Sequence, residues 1–238
     1  MRLAKSVWLL LVLSLAAWSQ QSAPASSTVT PAGPNDQQTV LAQMNKAAAS
    51  FKSAQADFVW EQYQAVVSET DTQRGVMFLK RTKNGIDAAL KITAPDQKQV
   101  VFKNGKLSFY QPKINQITER DESHNRADVE SFMSLGFGAR GDDLLKSYEV
   151  KMDGWEVLNG VKTAKLDLIP KAQKLKGSLS KVILWIEPEH SLAVQQQFLE
   201  PSGDYRLAHY SNIKLNARIP EDVFTIKTTG NTKIVSSQ

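Results

Sequence analysis

Two spacings of apolar residues alternate along this chain. Val40, Met44, Ala47, Ala48 and Phe51 recur at helical intervals, which predicts one amphipathic helix over about 36–53, with Asn35 and Asp36 available as its N-cap. From Gln55 the period becomes two. Ala56, Phe58 and Trp60 fall on one face of a strand and Val59, Glu61 and Tyr63 on the other. "TQRGVMFLKRT" is the next strand, and "GIDAALKIT" sets Ala88, Leu90 and Ile92 together. After Pro95-Asp96, "KQVVFKNGKLSFYQP" reads as a hairpin closed by Asn104-Gly105, and "KINQITERD" extends the sheet. Arg81 closes the apolar row Met77, Leu79 and shares its face, so its role depends on what that face meets.

The pattern then turns helical. Val129, Phe132, Met133 and Leu135 fall near helical spacing, Gly136 and Gly138 end that segment, and Asp142-Asp143 begin another holding Leu144 and Leu145. Strands resume at "YEVKMDGWEVL" and continue through "VKTAKLDLIPK", "SKVILWIEP", "SLAVQQQFLEPSG", "YRLAHYSNIKLN" and "VFTIKT". About ten antiparallel strands interrupted by one helical insertion predict a sheet that curls into a barrel or half-barrel. In "KVILWIEP" both faces are apolar, so both are covered.

The N-terminus stands apart. Arg2 and Lys5 precede an apolar run from Val7 to Ala17 and the small-residue pattern Ala17-Trp18-Ser19, the layout of a secretory signal peptide over 1–19 with cleavage after Ser19 or Ala23. Residues 20–35 are rich in Ser, Pro and Ala and read as a flexible linker, which leaves 36–238 as a single domain. The chain has no cysteine, so an exported domain must rest on its core, and no N-terminal cysteine is available for lipidation. A soluble exported protein is expected. The formal charge of +5 falls to +3 without Arg2 and Lys5, a diffuse excess that does not suggest nucleic acid.

Chemistry is sparse. His124, His190 and His209 stand alone, with no His-x-x-x-His pattern, no Gly-x-Ser-x-Gly elbow and no phosphate-binding glycine loop. Glu187 and Glu189, Asp142 and Asp143, and Lys171, Lys174 and Lys176 read as solvated turns. No catalytic residue, metal or cofactor is expected. What remains is apolar strand surface, which is either packed core or the lining of a cavity for an acyl chain.

The segment "GVMFLKRTKNGIDAALKITAPDQKQVVFKNGKLSFYQPKINQIT" resembles the periplasmic outer-membrane lipoprotein carrier family, LolA. The elements that carry the likeness are Gly75, Lys80-Arg81, Pro95, Asn104-Gly105, Phe109-Tyr110-Gln111-Pro112 and Gln116-Ile117-Thr118, followed downstream by Leu168, Pro170, Lys171 and "VFTI". The chain departs from the family at Thr82, where proline is usual, and at Ser108, where tryptophan is common. The resemblance implies an incomplete antiparallel β-barrel of about 10–11 strands covered by short helices. It implies a periplasmic carrier that takes acylated lipoproteins from an inner-membrane releasing transporter to an outer-membrane acceptor, working as a monomer without cofactor. Arg81 would be the lid latch, donating to carbonyls within 127–146. Met77, Leu79, Leu90, Ile92, Val101 and Phe109, with Phe132, Met133 and Leu135 on the lid, would line the acyl cavity. A carrier or sensor of free lipid or glycolipid is the alternative.

Overall fold

A computed structural model describes residues 29–228 and 230–237; the expected signal peptide and most of the linker lie outside these. In chain order the strands are β1 (Thr30–Pro31), β2 (Ser53–Gln64), β3 (Glu69–Thr82), β4 (Gly85–Ala94), β5 (Lys98–Lys103), β6 (Lys106–Gln111), β7 (Gln116–Asp121), β8 (Tyr148–Leu158), β9 (Val161–Pro170), β10 (Lys181–Glu187), β11 (Leu192–Leu199), β12 (Tyr205–Leu215) and β13 (Lys233–Ser237). The helices are α1 (Asp36–Ser50), α2 (Arg126–Met133), α3 (Gly141–Ser147) and α4 (Gln173–Lys176).

The strands form one open sheet in the order β1-β8-β9-β10-β11-β12-β2-β3-β4-β5-β6-β7-β13. Two meanders, β2 to β7 and β8 to β12, join where β12 pairs with β2. The β5–β6 hairpin turns at Asn104 (φ 53°) and Gly105 (φ 78°), the left-handed pair that a type I′ turn requires. The count exceeds the expected 10–11 because short segments cap both edges. Thr30–Pro31, inside the expected linker, pair with Trp155 and Gly154, and β13 runs parallel to β7. "VFTI" is not a strand: Glu221–Phe224 form a 3-10 turn, and Val223 and Phe224 are buried. Asn35 occupies the N-cap position of α1 but makes no side-chain capping bond. The Asp36 carboxylate instead accepts from the Gly33 amide and from the Trp155 indole.

The connection from β7 to β8 decides the architecture. These strands sit near opposite ends of the sheet, so residues 122–147 must cross from one edge to the other. They carry α2 and α3 over one face, here called the inner face. On it Met77, Leu79, Ile92, Phe102, Leu166 and Leu184 pack in one cluster with Val40 and Met44 of α1 and with Leu135 and Phe137 after α2. The outer face of β3–β5 has its own cluster, where Phe78, Ala89 and Val101 lie under Ile219, Val223 and Phe224. In β10, Val182, Leu184 and Ile186 join the inner core while Ile183 and Trp185 are buried on the other side, as an apolar run on both faces requires.

Candidate functional site

Strand alternation carries Arg81 to the place where three elements meet. Met77 and Leu79 stand opposite Ala56 and Ala54 on the inner face, and Arg81 is next in that row. Its Nη1 donates to the Ala48 carbonyl at 2.7 Å and to the Phe51 carbonyl at 3.4 Å. Its Nη2 donates to the Gly138 carbonyl at 3.0 Å. The guanidinium also lies 5.3 Å from the centre of the Phe51 ring. The acceptors have a simple origin. The last carbonyls of α1 lack full helical bonding, Ala48 accepting only a long 3.4 Å bond from the Phe51 amide, and carry the negative end of the helix dipole, so a cation with several donors suits them. Gly138 belongs to the turn between α2 and α3, so a single side chain ties β3, the end of α1 and the crossing segment together.

That turn fits only without a side chain. Gly138 has φ +81°, and a Cβ there would stand 2.5 Å from the Phe51 ring. Other donors converge on the same backbone. The Ala193 amide donates to the Gly136 carbonyl at 2.8 Å. Gln196 Nε2 donates to the Leu135 carbonyl, and Tyr210 donates to Gln196 Oε1 at 2.9 Å. Asn45 and Asp142 exchange hydrogen bonds of 2.9 and 3.1 Å, which join α1 to α3. Arg126 pairs with Glu130 at 2.6 Å and reaches the Asn84 carbonyl, which ties α2 to the β3–β4 turn.

The sequence-predicted lining residues fall in three groups. Met77, Leu79, Ile92 and Leu135 are buried together in the inner cluster, with Leu90 and Met133 packed against it. Phe109 is half-buried on the same face, because it pairs with Val100, which pairs with Leu90. Phe132 is 40% exposed and meets Phe198 at a tilt of 48° with ring centres 5.2 Å apart. Val101 does not belong. It pairs with Ala89, which pairs with Phe78, so parity sends it to the outer face under the C-terminal turn. Its neighbour Phe102, opposite Ala88 and fully buried inside, is the residue that parity selects. Reading the alternation back from the Asn104-Gly105 turn would have found it.

Two cavities flank the arginine, and none of the predicted lining residues borders either. One, of about 490 Å³, lies between the second half of α1, Gly138–Ala139 and the β10–β11 turn. The other, of about 450 Å³, is bordered by Lys80, Arg81, Asn216 and Glu221. Ionic contacts brace this region. The Lys80 ammonium holds the Glu221 carboxyl below its usual range, and hydrogen bonds from Asn45 and Arg140 do the same for Asp142. Asp87 points to the outer face opposite Lys80, and burial pushes its pKa up. Among the described residues, Glu187, Glu189 and His190 bring three possible metal-ligand atoms within 4.8 Å. The turn itself occupies Glu187, which accepts from the backbone amides of Glu189 and His190 and contacts the His190 ring at 3.0 Å. No helix of the described residues is long and apolar enough to cross a membrane.

Comparison with known proteins places this geometry. The family model "Outer membrane lipoprotein carrier protein LolA" matches residues 49–227. No curated protein matches the chain. Solved structures share the fold at low identity. An uncharacterized conserved protein from Thermus thermophilus has a TM-score of 0.55 at 11% identity, over 84% of this chain and 98% of that one. MucB gives 0.52 at 14% identity, over 85% of this chain but only 66% of its own length. The lipoprotein LppX from Mycobacterium tuberculosis gives 0.50 at 12% identity, over 79% of this chain and 99% of that one.

Proposed function

This chain belongs to the LolA family of outer membrane lipoprotein carrier proteins, and from that premise we propose that it ferries acylated lipoproteins across the periplasm in a form that shields their acyl chains. The observation that carries the reading is the Arg81 guanidinium, which binds the end of α1 and the lid turn at Gly138 across the edge of an apolar inner face. A side chain that bridges a lid and its seat biases the molecule toward closed. A ligand entering beneath the lid displaces those bonds, and their recovery on release helps to expel it. Transfer then runs downhill in affinity, from an inner-membrane releasing transporter to an outer-membrane acceptor, with this chain as a soluble monomer and no cofactor or catalytic step of its own.

The lining of the site would be Met77, Leu79, Leu90, Ile92 and Phe109 from the sheet, with Phe132, Met133 and Leu135 from the lid. Acyl burial stabilises the complex by about 0.8 kcal/mol per methylene, so the closed state must resist opening by enough to make release possible.

Photo-crosslinking in cells from position 79, followed by mass spectrometry, tests this directly. Acylated proteins among the adducts are expected. The departures at Thr82 and Ser108 give substance to a second cargo class, free lipid or glycolipid. Adducts to free lipid alone would select it. If no lipid or acylated protein is captured, the inner row is plain core and the carrier reading fails.

A further inference from the structure

The inner face does not end at the lid. Across β11, β12 and β2, Phe198 stands opposite Arg206 and Arg206 opposite Gln62; one step along, Ala208 stands opposite Trp60, which faces Gln73 on β3. These side chains share the face of Phe58, which meets Trp60 edge-on with ring centres 5.9 Å apart. The cover from α2 reaches this row at Phe132, which rests on Phe198 and is partly open to solvent. The apolar row of the inner face therefore gives way to a polar one at the flank of α2, and that boundary holds two donors out of place. Trp60 Nε1 and Arg206 Nε are buried atoms with no hydrogen-bond partner among the described residues. The rest of the Arg206 guanidinium is only loosely held, with Nη2 at 3.5 Å from Glu200.

Buried polar groups in folded proteins are almost always bonded, and an unmet donor costs free energy until something accepts from it. Here an uncharged indole N–H and a guanidinium N–H sit as diagonal neighbours on adjacent strands, beside aromatic and aliphatic surface. A ligand that would satisfy both donors and also use the surface beside them has an apolar chain ending in an acceptor oxygen. We propose that Trp60 and Arg206 form a head-group subsite for the ester or amide carbonyls that terminate acyl chains. Bound cargo lies with its chains under α2 and its carbonyls at this boundary, which fixes the direction of the chains. The subsite rests on the carrier reading and adds an orientation and a chemical class to it.

The test compares a diester, 1,2-dioctanoylglycerol, with its diether, 1,2-dioctylglycerol, for binding to the purified protein. The two probes match in chain length and differ in the carbonyls. One accepted bond corresponds to about fivefold in affinity for the diester, and two to about 25-fold. The Trp60 indole proton, assigned with Trp60→Phe, should move in the nitrogen-proton correlation spectrum with the diester and stay in place with the diether. Arg206→Gln should shrink the diester advantage and leave diether affinity unchanged. Equal affinities with an unmoved indole would overturn the subsite and leave acyl carriage standing. If neither probe binds, acyl carriage and the subsite fall together.

Discussion

Replacing Arg81 with leucine should tighten the binding of acyl probes, and the size of the change reports which piece of the lid moves. The guanidinium makes contacts of two kinds. The bond to Gly138 at 3.0 Å reaches the crossing segment, while those to Ala48 and Phe51 at 2.7 and 3.4 Å reach the end of α1. Arg81 is an exposed residue, so each bond is set at about 1 kcal/mol, below the range for a buried charged donor, with about 0.5 kcal/mol for the contact over the Phe51 ring. If opening displaces only the turn around Gly138, one bond is lost, and its removal by mutation strengthens ligand binding about fivefold. If α1 moves as well, the whole set is lost, about 3.5 kcal/mol or several-hundredfold. The Asn45–Asp142 bonds favour the second outcome, because they make α1 and α3 one unit. The assay is titration of a fluorescent acyl probe into both proteins, with amide hydrogen exchange at 134–141 in the free forms. Faster exchange there with unchanged or weaker probe affinity would refute the latch, since loosening without a gain in binding means that closure does not oppose the ligand.

Gly138→Ala should loosen the same turn by another route, since its Cβ would overlap the Phe51 ring at a left-handed φ; a lower melting temperature and faster exchange across 134–141 are expected. Asp87→Asn should stabilise the protein at pH 7. Burial raises the pKa of this carboxyl, so its ionised form costs stability above the raised value and that cost fades as pH falls through it. Urea midpoints of the two proteins should therefore differ at pH 7 and converge in acid. The carboxyls of Asp36 and Asp142 act in the opposite sense. Their lowered pKa values contribute stability that is complete above the ordinary carboxylate range and lost as pH drops below it, which urea unfolding between about pH 5 and 2 will report. Phe102→Ala should cost about 3–5 kcal/mol and alter acyl binding, whereas Val101→Ala, on the other face, should lower stability and leave probe affinity unchanged.

Local rules made much of this fold readable. Alternation from Ala56 to Trp60 and the Asn104-Gly105 turn are short-range signals, and the strands and hairpin stand where those signals put them. The helical insertion was visible for the same reason. What local pattern could not supply was long-range placement. Nothing in "STVTPAGP" reveals that Thr30 and Pro31 pair with β8, over a hundred residues away, or that the C-terminal strand runs parallel to β7. "VFTI" alternates like a strand, yet Val223 and Phe224 are taken up by the outer face of β3–β5. Val101 was misplaced because a run such as "QVVF" is apolar on both faces, and only the register against Ala89 and Phe78 separates inside from outside. Arg81 was legible as an oddity, and the family resemblance supplied lid carbonyls as acceptors. The carbonyls at the end of α1 required the fold, because they lie some thirty positions away in sequence.

The way the lid is fastened bears on how many acyl chains can open it. The backbone of residues 135–138 accepts hydrogen bonds from Gln196, Ala193 and Arg81, while Leu135 and Phe137 fill the core beneath. Freeing this turn would forfeit three bonds of about 1 kcal/mol each and expose two large apolar side chains at about 2–3 kcal/mol each, roughly 8 kcal/mol together. At about 0.8 kcal/mol per methylene, some ten methylenes balance that. A single chain of about sixteen carbons would therefore keep only about a third of its burial energy, about 4 kcal/mol or millimolar binding, whereas a second chain would bind with its burial energy unopposed. On the carrier reading, a lid of this strength would discriminate by the number of chains, holding multiply acylated cargo and letting single fatty acids escape. The outer cluster under Ile219 and Phe224 is separate from the inner one, so lid opening on this reading would leave it packed and the sheet in place.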